Sequence, residues 1–74
     1  MILTMPYSYK EIEKRLISLW YESVRQNGSH VIFSNRVKTF PVPKHGWKDI
    51  SPGVESKIIK NLWMTKIEFK KIKT

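Results

Sequence analysis

The sequence predicts a small α+β domain of order αβββα, built on a three-stranded antiparallel sheet, and three observations carry that expectation. Ser8 and Glu11 have the spacing of a capping box ahead of a run with helical apolar periodicity. Asn27-Gly28 divides two short strand-like runs, as a tight hairpin turn does. Ser51-Pro52 then offers an N-cap and a first-turn proline to a second helix.

Ile12, Leu16, Leu19 and Trp20 recur at helical intervals, so a first helix is expected from about Tyr9 to Leu19 with one apolar face. Tyr21 to Gln26 and Ser29 to Ser34 form the expected hairpin, and Asn35 to Lys38 a polar turn. Thr39 to Pro43 adds a third strand, and neither Pro41 nor Pro43 has an N–H to donate to a ladder, which argues for an edge position. His45 to Ile50 reads as a loop before the second helix, which turns Val54, Ile58 and Leu62 inward. Thr65 and Glu68 repeat the capping-box spacing, predicting a short last helix that frays into the basic tail Lys70 to Thr74. The organisation is one domain over residues 1–74, with residues 1–4 as a possible upstream extension and residues 65–74 as the short helix and tail.

Fourteen Lys and Arg against six Asp and Glu give a net charge of +8, which favours polyanionic partners through counterion release and steering. Without cysteine there is neither a disulfide framework nor a thiolate metal site, and the two histidines lack a carboxylate at metal-ligand spacing, so no metal is expected. Met1 to Pro6 lack a basic segment followed by a long apolar one, and no apolar stretch is long enough to span a bilayer. The expectation is a soluble cytoplasmic protein that binds nucleic acid and not membrane.

A two-residue turn at Asn27-Gly28 sets Arg25 opposite His30, Val24 opposite Val31 and Ser23 opposite Ile32. A guanidinium and an imidazole then share a sheet face, a pairing suited to a phosphodiester. From Arg25 to Lys48 no acidic residue occurs, while Arg25, Arg36, Lys38, Lys44 and Lys48 do, the pattern of a phosphate track. Lys44 and Lys48 flank His45 and are better candidates than Arg36 and Lys38, which a solvated turn explains equally well. The lysines from Lys57 onward fit solvated helix faces and a tail better than a reading head.

Taken together, Val24-Arg25-Gln26-Asn27-Gly28-Ser29-His30-Val31-Ile32-Phe33, Val42-Pro43-Lys44-His45 and Ile50-Ser51-Pro52-Gly53-Val54 with Ile58-Ile59-Lys60 resemble the HicA (YcfA-like) mRNA interferase toxins over nearly the whole chain. That resemblance implies a double-stranded-RNA-binding-like αβββα fold with the helices packed on one sheet face. It also implies a type II toxin that cleaves mRNA with the histidine of Gly28-Ser29-His30, no cofactor, and silencing by a HicB-like antitoxin. Trp20 and Trp63 stand at helix ends where relatives usually have glycine, so either those helices end differently or local stability is reduced.

An imidazole can both accept and donate a proton, so His30 can take one from a ribose 2′-hydroxyl and return one. Arg25 would stabilise the charge that develops on phosphorus. His45 offers a second acid or a phosphate contact, against a purely structural loop role. Ser29 offers a phosphate contact, against satisfying its own turn. Trp47 offers a base-stacking surface, against covering the core edge. Two rival functions share this sequence: a noncatalytic RNA-binding module, and a basic subunit that binds an acidic protein.

Overall fold

The computed structural model describes residues 7–44 and 49–73, so the expectations for Met1 to Thr4, His45, Trp47, Lys48 and Thr74 lie outside the described residues. Its elements run α1 (Tyr9–Ser18), β1 (Glu22–Asn27), β2 (His30–Ser34), β3 (Thr39–Pro43), α2 (Pro52–Asn61) and α3 (Lys66–Lys70). The predicted α+β class and αβββα order hold, with α3 appended. The strands form one antiparallel sheet in the order β1-β2-β3, which puts the proline-bearing β3 at an edge.

Each helix starts as its sequence dictates. Ser8 Oγ accepts from the Glu11 N–H and the Glu11 carboxylate accepts from the Ser8 N–H, a complete capping box at α1. Thr65 and Glu68 repeat it at α3. Ser51 caps α2, with Pro52 at its first position, where the missing N–H costs nothing.

Burial alternates along β2 and β3: Val31, Phe33, Phe40 and Val42 are buried while the residues between them are not. The helices therefore cover one sheet face and leave the other open. Ile12 and Leu16 of α1, Ile58 and Ile59 of α2 and Phe69 of α3 fill the layer between. Val54 and Leu62, expected to point inward, are half-buried against that cluster. β1 has no buried residue, so the helices leave that edge strand uncovered.

The chain after α2 belongs to the same core. The Phe69 side chain is fully buried and meets Tyr7 edge-on at 5.3 Å between ring centroids. The Arg15 guanidinium lies 4.7 Å from the Tyr7 ring centroid, and its Nε–H donates to the Phe69 carbonyl at 3.2 Å. Ser18 Oγ donates to the Lys73 carbonyl at 2.8 Å, holding the segment after α3 against α1.

Both tryptophans adopt the left-handed conformation at their helix ends, with φ 70 at Trp20 and φ 58 at Trp63. After α1 the Tyr21 N–H reaches the Leu16 carbonyl and the Trp20 N–H the Ile17 carbonyl. After α2 the Met64 N–H reaches the Ile59 carbonyl and the Trp63 N–H the Lys60 carbonyl. These are two Schellman endings, with tryptophan where glycine is the unstrained residue. Of the two alternatives posed by the sequence, the helices keep the usual ending and accept the strain.

Candidate active site

The hairpin that carries His30 differs in register from its expected form. Asn27 is paired with His30, Gln26 with Val31 and Arg25 with Ile32, so the two turn residues are Gly28 and Ser29. Gly28 has φ 63, and no positive φ occurs at Asn27 or Ser29, the φ pattern of a type II′ turn with glycine at its first central position. The expected pairs Arg25–His30, Val24–Val31 and Ser23–Ile32 are thus corrected. Between Ser23 and Arg25 the register shifts, leaving Val24 as a bulge.

Two contacts favour this turn. The Gln26 side-chain amide donates to the Gly28 carbonyl at 3.0 Å. The Lys44 N–H donates to the Ser29 carbonyl at 2.6 Å, tying the end of β3 to the turn from the other side.

The correction keeps Arg25 on the face of His30. Moving the turn centre by one residue changes every pairing by two positions, and side chains alternate with period two, so faces are preserved. Arg25 stands opposite Ile32, the residue two along from His30 on β2, which makes Arg25 the diagonal neighbour of His30 at roughly 7–8 Å. Asn27 and Pro43 flank His30 directly. His30, Arg25 and Asn27 are all exposed on the open side of the sheet.

The remaining candidates divide. Ser29 sits in the turn, with its carbonyl engaged by Lys44. Lys44 follows Pro43, so alternation turns it toward the helices, and its Nζ lies 5.2 Å from the Tyr9 ring centroid. It adjoins the His30 strand end without sharing the open face. His45 and Lys48 fall outside the described residues. Among the described residues, no three His, Cys, Asp or Glu side chains cluster as around a metal ion.

Sequence reasoning missed Asn27 as the direct neighbour of His30 and Gln26 as the clamp on the turn. The signal was present, because Gly28-Ser29 is itself a turn dipeptide with glycine first.

The family model described as the HicA toxin of bacterial toxin-antitoxin matches residues 9–63, from the start of α1 to the residue that closes α2. The chain belongs to the HicA toxin family. Membership makes it the toxin of a toxin–antitoxin system, with an antitoxin as partner. Neither among curated proteins nor among solved structures was a match found. In this HicA toxin the match stops short of α3, although Phe69 completes the core. No helix among its described residues is long and apolar enough to cross a membrane.

Proposed function

We propose that this toxin is an endoribonuclease that cleaves mRNA in the cytoplasm without a metal ion, with His30 as the proton-transfer group. The observation that carries the reading is the exposed imidazole one residue past a tight turn, on an uncovered sheet face, with the Arg25 guanidinium diagonal to it. A nuclease needs its base open to a polymer, and an open sheet face admits one.

The His30 imidazole takes the proton from a ribose 2′-hydroxyl, and the freed oxygen attacks the adjacent phosphorus. The bond from phosphorus to the 5′-oxygen breaks, leaving a 2′,3′-cyclic phosphate and, once that oxygen is protonated, a 5′-hydroxyl. Arg25 faces the extra negative charge on the phosphoryl oxygens at the point of attack. Lys44 and Lys48 hold flanking phosphates, while Ser29 keeps the turn in shape, and His45 is a candidate for the second proton transfer. The partner is a HicB-like antitoxin that binds the toxin directly and covers this face, as in a type II system.

The decisive experiment compares wild type and His30→Ala on RNA in excess EDTA, with analysis of the new ends. Wild type is expected to cut and to leave cyclic phosphates, while the folded variant neither cuts RNA nor arrests growth. Exposed strand histidines contribute little packing, so stability should change by less than about 0.5 kcal/mol. Loss of cutting on chelation, 5′-phosphate ends, or a His30→Ala protein that still cuts would each overturn the reading.

A further inference from the structure

At the opposite end of the sheet from His30, Trp63 stands 85 % exposed in a left-handed backbone conformation. That conformation is strained for an L-residue, and a side chain in solvent offsets little of the strain by packing. Trp20 shares that strain and exposure, so what sets Trp63 apart is the fixed cation beside its indole. Beside the indole, Lys38 is fixed: its ammonium donates to the Asn61 carbonyl at 2.7 Å and lies 4.6 Å from the Trp63 ring centroid. Tyr21, Val37 and Leu62 complete a groove of about 310 Å3 that, among the described residues, no acidic side chain lines.

We propose that Trp63 and Lys38 form a second RNA subsite, where one base of a single-stranded RNA stacks on the indole and a neighbouring phosphate meets the Lys38 ammonium. An exposed π-face accepts any base, and a cation held beside it matches the phosphate that accompanies every base. The wall is mixed, with the polar groups of Asn35, Lys38 and Asn61 set beside Tyr21, Val37 and Leu62. Lys38 precedes β3 and Pro43, the cross-strand neighbour of His30, ends it. Five residues of extended chain separate them by roughly 16 Å, within reach of a strand a few nucleotides long. The exposed Arg36, at the tip of the β2–β3 turn, extends the basic end of the sheet beyond Lys38. The choice of RNA as the ligand rests on the ribonuclease reading above.

The test measures anisotropy of a labelled 2′-O-methyl oligoribonucleotide, which lacks the attacking hydroxyl, on wild type, Trp63→Gly, Trp63→Phe and Lys38→Met, with a thermal melt of each. Trp63→Gly is expected to melt higher than wild type, because glycine relieves the strain, and yet to bind between about five- and a hundredfold more weakly. Trp63→Phe should keep part of the affinity. On cleavable RNA, Trp63→Gly should raise KM and leave kcat unchanged. Wild-type affinity in Trp63→Gly, a lower melting temperature, or weakened binding of an acidic protein alone would overturn the subsite. Trp63-dependent binding in a wild-type protein that cuts no RNA would support the subsite while sinking the nuclease reading. Absence of any binding by wild type would sink both.

Discussion

His30 and Arg25 stand diagonally across the β1–β2 ladder on the sheet face away from the helices, with Arg25 paired to Ile32 and His30 to Asn27. A long guanidinium spans a diagonal of this size where a short side chain would not, so Arg25 can meet a phosphate whose attacking oxygen is at the imidazole.

Arg25→Ala should lower the rate of RNA cleavage by about 10²–10³ while leaving the melting temperature near wild type, since β1 is exposed along its whole length. Arg25→Lys keeps the charge and loses the planar fork, so its rate should fall between the two. Single-turnover kinetics with a melt of each variant decides the matter. Equal rates for wild type and Arg25→Ala would remove Arg25 from the chemistry.

Why the face of Arg25 was legible in the sequence, and its partner was not, follows from the turn. Asn27-Gly28 and Gly28-Ser29 are both acceptable turn centres, and choosing between them needs contacts that sequence spacing does not carry: the Gln26 amide on the Gly28 carbonyl, the Lys44 N–H on the Ser29 carbonyl and the bulge at Val24. Period-two alternation is indifferent to that choice, so the shared face survived the error. Helix starts were legible because Ser8, Ser51 and Thr65 act on their own next turn. The endings were harder, since Trp20 and Trp63 adopt a conformation that their side chains disfavour, and only the surrounding Schellman bonds fix it.

Trp20→Gly should stabilise the toxin. Trp20 is 88 % exposed at φ 70, so the substitution removes backbone strain and little packing. The greater freedom of glycine in the unfolded chain offsets part of the gain, leaving about 0.5–1 kcal/mol, or a melting temperature higher by about 3–6 °C. Urea and thermal unfolding measure it. A destabilised Trp20→Gly would mean that the indole packs on the fold.

Stability should decline in alkali through the buried phenols. Burial pushes Tyr9 from 10.0 up to about 12, helped by the neighbouring Glu13 carboxylate, which accepts its hydrogen bond. Burial raises Tyr7 and Tyr21 in the same direction. Because the folded state holds the Tyr9 proton more tightly than the unfolded chain, this contribution is fully present below about pH 10 and is lost as pH rises through about 12. Urea unfolding across that window should show a shallower decline for Tyr9→Phe than for wild type. Parallel declines would assign the alkaline loss to other groups.

Lys44 ties the end of β3 to the turn that carries His30 through its own N–H, while its side chain leaves from the helix side of the sheet with the ammonium over Tyr9. That position suits a contact with a phosphate next to the one being cut, and not with the reacting group itself. Lys44→Met should therefore weaken RNA binding, reduce the slope of log affinity against log salt by about 1, and leave the single-turnover rate at saturation near wild type. An antitoxin that silences so small a toxin by covering the RNA face must place acidic groups where phosphates go, so the same substitution should weaken its binding too. Both affinities are read across a salt series. Weaker RNA binding at an unchanged slope would mean that Lys44 acts through the turn rather than through charge, and antitoxin binding at full strength would place the two ligands on different faces of the toxin.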